Sequence, residues 1–369
     1  MARLRILVPL LSILGLFALL VKRLADFGVF TPKQSFNTES CRVIANFSSC
    51  EDIQVDYAND LLYLSANNWT AYFREEYSVQ GGIYVLDLKQ KNAKPKLVSV
   101  DQPAVFHPHG FHLYTDPETK EKVLFVINHK QKGHSAIEVF DVIDKDTIKH
   151  RETFSHDLLI NANEVLGVGK RQFYVTQDTK YPLNGITLTV AAALGREAGS
   201  LFHFDGKNWK TVIENLNLGN GLAVSPDHKL LFVGETNKKR VRIYDGDIKS
   251  GDIRFKASYN LDLFPDNIEM DSDGNLWAAG FPNLLAMSER IKGRDLKVPV
   301  RIMKASFEGE KLKDLTKMLE TTGEEFMAQT VVVPYQDKMI LAGIFTPEVR
   351  MCNVPKDAPR SEIHFDTDL

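Results

Sequence analysis

The sequence predicts an all-β chain, a six-bladed β-propeller with an N-terminal hydrophobic anchor helix. A strand-turn-strand pattern recurs six times along the chain. The copies are spaced by roughly 50 residues, the period of a propeller blade rather than of a helical solenoid. An apolar run is confined to the first thirty residues. At 369 residues, with 44% apolar and 25% charged side chains, the composition is that of a globular protein with a large core, which excludes disorder, collagen and small disulfide scaffolds. Twenty-two Phe and 11 Tyr suit packed strands, and 23 Gly and 15 Pro supply turns. A net charge of -3 leaves no basic excess to track a phosphate backbone, so no nucleic-acid partner is expected.

The first element is the apolar run from Ile6 to Val21, preceded by Arg3 and Arg5 and closed by Lys22 and Arg23. At about sixteen residues it has signal-peptide length, but no Ala-x-Ala cleavage site follows it. An uncleaved signal-anchor is therefore expected, with residues 1–30 as anchor and linker and residues 31–369 as the propeller. That places the protein on a membrane of the secretory pathway, facing the endoplasmic reticulum lumen or the cell exterior. Two glycosylation triplets, Asn46-Phe47-Ser48 and Asn68-Trp69-Thr70, are usable in that compartment. Of three cysteines, Cys41 and Cys352 lie near the two ends of the globular region and Cys50 is left over. A bridge between the first two would stabilise by restricting nearly the whole unfolded chain and would need an oxidising compartment. Three reduced, buried cysteines are the alternative reading.

The repeat is clearest at Asn220-Gly221-Leu222-Ala223-Val224, a Ser225-Pro226-Asp227 turn and Leu230-Leu231-Phe232-Val233, followed by a third strand at Arg240–Tyr244. Asp266-Asn267-Ile268-Glu269-Met270 repeats it, with Asp273-Gly274 marking the hairpin turn. The same register opens at Glu51-Asp52, His109-Gly110, Asn163-Glu164 and Gln329-Thr330. Innermost strands line the channel of a propeller, so these polar openings are predicted to meet at the axis. Glu and Asp carboxylates with Asn amide oxygens are hard ligands of the kind that suit calcium, whereas zinc prefers His and Cys.

His109 opens one of these strands and Asn128-His129 ends the next strand of the same blade, so antiparallel pairing is expected to bring the two rings together. Two histidines beside a calcium are the parts of metal-assisted hydrolysis. His107, His109 and His112 admit a second reading as a transition-metal site, because residues two apart share a face of a regular strand.

With these residues in view, the chain resembles the paraoxonase family of serum arylesterases and lactonases, calcium-containing six-bladed propellers. The resemblance runs from about Cys41 to Cys352 and is carried by Cys50-Glu51-Asp52, Phe106-His107-Pro108-His109-Gly110, Val126-Ile127-Asn128-His129, Asn161-Ala162-Asn163-Glu164, Gly219-Asn220-Gly221 and Pro265-Asp266-Asn267-Ile268. It implies two calcium ions. One, catalytic, is held by Glu51, Asn163, Asn220, Asp266 and Asn267; the other, structural, by Asp52, Glu164 and the backbone carbonyl of Phe111. It further implies a His109 and His129 dyad, a Cys41 to Cys352 disulfide and a retained hydrophobic N-terminus.

Departures from the family's pattern bear on substrate scope. Glu164 stands where the family has Asp, Thr179 and Phe281 where it has His, and Gly280 where it has a free cysteine. Cys50 reads as a small buried filler. The apolar segment from Tyr181 to Ala198 lies where the family places a helix over the active face, and reads as a lid or a membrane-touching element. The expected function is calcium-dependent hydrolysis of lactones or aryl esters, with a metal-polarised carbonyl attacked by His-activated water. The alternative is a non-catalytic, membrane-anchored accessory or chaperone protein with a membrane channel or receptor as client.

Overall fold

The computed structural model describes residues 14–15, 17–32, 34–46, 48–181 and 197–363. Among them, six four-stranded antiparallel sheets form the blades of a propeller. The inner strands are Ser49–Asp56, Pro108–Thr115, Ala162–Gly169, Gly219–Val224, Phe264–Met270 and Gln329–Tyr335, in blades one to six. Each packs against the inner strands on either side, which closes a ring around the axis. Blade six takes its outermost strand, Arg42–Asn46, from the other end of the chain, antiparallel to Glu348–Asn353. Cys41 and Cys352 form a disulfide at this closure, and Cys50 is free and buried. The bridge locks the strand that turns an open arc of blades into a ring.

Both faces of a blade pack on neighbours, so its strands read as unbroken apolar runs; Leu61-Leu62-Tyr63-Leu64 is buried throughout. Each of the six junctions between adjacent blades is filled by its own apolar cluster. Turn chemistry follows the residues: Asp271 Oδ1 accepts from the Asp273 and Asn275 N–H groups, and Gly274 takes φ +80°.

The element that positions the site is a bulge. All six inner strands slip register against their neighbour at the polar opening, across Glu51, His109, Asn163, Asn220, Asp266 and Thr330. A bulge re-aims the side chain of the extra residue and increases local twist. Six in one ring turn a set of alternating strand residues into an axial cluster.

At the N-terminus, residues 17–26 are helical, with Phe17, Leu19 and Leu20 exposed. Much of the apolar run lies outside the described residues, and among those described no helix is long and apolar enough to cross a membrane. The helix ends in a turn that docks on blade five, where Leu284 N–H donates to Phe27 O at 3.1 Å. Gly28, at φ +75°, approaches so closely that a Cβ there would lie 2.0 Å from the Pro282 carbonyl oxygen. Residues 182–196 of the expected lid also lie outside the described residues.

Candidate active site at the propeller axis

Four of the five residues expected to hold the catalytic ion share one feature. Glu51 Oε2, Asn163 Oδ1, Asn220 Oδ1 and Asn267 Oδ1 are buried with no hydrogen-bond partner. Each such group costs about 1 to 3 kcal/mol unless something meets it, and a set of four calls for a ligand. Hydrogen bonds fix which way the amides face. Asn267 Nδ2 donates to Glu51 Oε1 at 2.9 Å, and Asn220 Nδ2 donates to Asp266 Oδ1 at 2.8 Å, so both amide oxygens point away from the carboxylates that orient them. Thr330 Oγ1 donates to the Glu51 carbonyl at 2.6 Å, which ties blade six into the same arrangement. Burial, and then Asp266 and Asp52, push the Glu51 carboxyl well above its ordinary range; burial raises Asp266 to about 7 against the opposing Asn220 hydrogen bond.

Asp52, Glu164 and Phe111 are bonded differently. Asp52 accepts from the Ile53 and Phe111 N–H groups at 2.7 and 3.0 Å, and Glu164 Oε1 accepts from Val165 N–H at 2.7 Å. What meets Asp52 is therefore the Phe111 N–H, and neither carboxylate leaves a buried oxygen without a partner. Among the described residues, no three His, Cys, Asp or Glu side chains form a metal-holding cluster; the axial set is two carboxylates and three amides.

His109 and His129 stand together, ring centroids 4.9 Å apart and edge-on, with no hydrogen bond between them. His109 Nε2 is 3.8 Å from Glu51 Oε2, and its Nδ1 is buried without a partner. Burial lowers His109 to about 4 against the opposing Asn163 backbone, while burial and the neighbouring His109 and His107 hold His129 well below its ordinary value. Both rings are neutral at neutral pH. Ser135 Oγ lies 3.1 Å from His129 Nδ1.

His107 and His112 turn elsewhere. The His109 bulge breaks the strand alternation that would align them, so His107 Nε2 meets the Tyr77 carbonyl at 3.1 Å and His112 Nδ1 accepts from Gly167 N–H at 3.2 Å. The transition-metal reading fails for that reason.

The axial residues form the floor of a cavity of about 900 Å³ whose walls include Trp69, Phe73, Phe281, Ile291 and Phe345, with Phe27 contributed by the N-terminal turn. Thr179 and Phe281 both line it and are almost fully buried, so neither places a titratable group on the wall. A Cβ on Gly280 would lie 2.1 Å from the Phe264 carbonyl oxygen, so strand pairing demands glycine there.

The family described as Arylesterase matches residues 34–354, most of the chain. The chain belongs to the arylesterase family. It is 25% identical to serum paraoxonase/arylesterase 2 of Gallus gallus over 272 residues, covering 72% of this chain and 75% of that one. It is 24% identical to serum paraoxonase/arylesterase 1 of Mus musculus over 335 residues, covering 88% and 90%. Among solved structures, a gluconolactonase from Xanthomonas campestris superposes with a TM-score of 0.52 at 13% identity, covering 85% of this chain and 89% of that one. The PQQ-bound aldose sugar dehydrogenase of Streptomyces coelicolor gives 0.54 at 15%, covering 88% and 99%. At such identities the structural likeness is one of fold.

This arylesterase-family chain also carries cavity residues that sequence reasoning missed. Trp69 is 4.8 Å from His109 and 6.0 Å from His129, centroid to centroid, and its indole Nε1 is buried without a partner. Asp178 lines the cavity, raised to about 7 by burial, with Oδ1 unpartnered. Trp69 was visible only as the middle of a glycosylation triplet. Asp178 follows its strand by one residue and belongs to no repeated motif.

Proposed function

We propose that the protein is a hydrolase of lactones and aryl esters that acts at the axial floor of this cavity and uses one calcium ion held by Glu51, Asn163, Asn220, Asp266 and Asn267. The observation that carries the reading is the set of four buried, unpartnered oxygens beside a neutral histidine in an arylesterase-family chain. Their chemistry fits a hard cation with oxygen ligands. When bound, such an ion supplies a Lewis acid for the substrate carbonyl.

The chain's own residues do the rest. His109, neutral and with Nδ1 uncommitted, takes a proton from water as the new C–O bond forms. That proton then passes to the leaving oxygen as the ester or ring C–O bond breaks, giving acid plus alcohol or a hydroxy acid. His129, fixed through Ser135, packs against His109 and limits its orientation. Apolar walls exclude bulk water and take the hydrophobic part of the substrate. The disulfide and the N-terminal apolar run support a secretory, membrane-attached setting for this chemistry.

The test is turnover of phenyl acetate and a medium-chain lactone by the full chain, with calcium and with chelator, for wild type and His109→Gln. Calcium-dependent turnover that falls about 10²- to 10⁴-fold in the variant is expected. Full activity in excess chelator, or in His109→Gln, refutes the assignment.

A further inference from the structure

We propose that Asn68 carries an N-linked glycan that stands on the rim of the cavity and restricts what enters it. Asn68 opens the triplet Asn68-Trp69-Thr70 and caps the short helix Trp69–Phe73. Its two amide atoms have separate duties. Oδ1 accepts from Ala71 N–H at 3.0 Å, while Nδ2 has no partner among the described residues and the residue is exposed. Glycosylation uses the nitrogen alone: a bond forms between Nδ2 and C1 of an oligosaccharide as the bond from that C1 to the pyrophosphate of a lipid-linked donor breaks. The donor leaves with the bonding electrons, and Nδ2 loses a proton to the transferring enzyme's base. The product keeps Oδ1, so the helix cap survives modification.

Position makes the modification consequential. Trp69 and Thr70, the next two residues, both line the cavity. Trp69 is 2% exposed, stacked edge-on against His109, and thereby fixes the helix over the catalytic floor. A bulky, hydrated sugar chain rooted one residue away crowds the opening through which an apolar substrate must pass. The other triplet has no such effect. Asn46 ends the outermost strand of blade six, paired with Glu348, and neither residue lines the cavity. The Cys41–Cys352 bridge supports the compartment in which the donor is found, since disulfides persist where N-glycans are added. The consequence for ester size rests on the hydrolase reading; the glycan and its place do not.

The experiment expresses the full chain in a eukaryotic secretory host, locates glycans by peptide mass, and measures the association rate of dansyl-undecanoic acid with the cavity. Wild type is compared with enzymatically deglycosylated wild type, Asn68→Asp and Asn46→Gln. Amidase release of an N-glycan leaves Asp, so stripped wild type and Asn68→Asp carry the same side chain at 68, and a folding defect in the variant is bypassed by the stripped protein. Expected are a glycan at Asn68 and a several-fold faster association in both stripped forms, with Asn46→Gln unchanged. Unmodified Asn68, or equal association rates with and without its glycan, overturns the proposal. Phenyl acetate turnover is followed in parallel: its absence alongside a glycan effect on probe entry removes the hydrolase reading and leaves this one standing.

Discussion

Asn220 Nδ2 donates a hydrogen bond to Asp266 Oδ1 across the junction of blades four and five, and its own Oδ1 is left buried and unmet. One side chain thus orients a carboxylate and presents an oxygen beside it. Calcium removal is expected to expose the cost of that arrangement. An ion at a hundred times its Kd adds about 2.7 kcal/mol by mass action. Calorimetry in calcium and in chelator should show melting several degrees lower in chelator, and Asn220→Ala should lose most of the difference. Identical melting in the two buffers contradicts the ion.

The ring of oxygen donors was legible in the sequence because each member opens a copy of the repeat, and a repeat converts position along the chain into position around an axis. Glu51, Asn163, Asn220 and Asp266 needed only that counting. The bulges were not legible: an extra residue in a strand has no composition of its own, and its effect on His107 and His112 emerges from the slipped ladder. Trp69, Phe345 and Asp178 come from connections between strands, which carry no period, and only the closed ring brings them over the floor.

Gly221 occupies the bulge beside Asn220, where a Cβ would lie 2.5 Å from Ile268 N and 2.8 Å from Asp266 O. Both neighbours are backbone and cannot rotate away. Gly221→Ala is expected to separate the inner strands of blades four and five, destabilise by about 1 to 3 kcal/mol as overpacking does, and weaken calcium binding. Denaturant melts and calcium titration of the variant check both effects; wild-type stability and affinity would deny the close approach its role.

Trp69 holds an unpartnered indole N–H at the cavity wall beside His109. A substrate oxygen within reach would satisfy that donor, and a neutral hydrogen bond contributes about 0.5 to 1.5 kcal/mol. Trp69→Phe retains an aromatic ring and removes the donor. KM for phenyl acetate should rise about 2- to 10-fold with the calcium-dependent melting difference intact. An unchanged KM leaves the ring as packing alone.

Cysteine placement leads to a stability prediction of a different kind. Cys41 and Cys352 are separated by 311 residues, so the bridge restricts nearly the whole unfolded chain. Cys41→Ala with Cys352→Ala should cost about 5 to 6 kcal/mol on the chain-entropy model, while the pairing of Arg42–Asn46 with Glu348–Asn353 keeps the ring closed below the melting point. Melting under reducing and oxidising conditions, with the double variant as reference, checks it; a reduced wild type as stable as the oxidised one refutes it.

The buried carboxyls set the pH response of the metal-free protein. Burial raises Asp178, Asp266 and Glu269 to about 7, and holds Glu51, Asp52 and Glu164 well above their ordinary range. Unfolded, such groups titrate near 4. A carboxyl raised by folding binds protons more tightly in the native state, so its stability contribution is complete below its unfolded pKa and is lost as pH rises through the folded one. Histidines act in the opposite direction. His109 and His112, lowered by burial to about 4, bind protons more tightly when unfolded and remove stability as pH falls below about 6.5. In chelator, melting should therefore rise by several degrees from pH 8 to pH 6.5 and rise more slowly below it, because the lowered histidines offset part of what the more numerous raised carboxyls still contribute down to their unfolded pKa. With saturating calcium the axial carboxylates are held ionised, and the gain from pH 8 to 6.5 should shrink. Melting in chelator that declines steadily over that interval would show that these carboxyls are not buried as described.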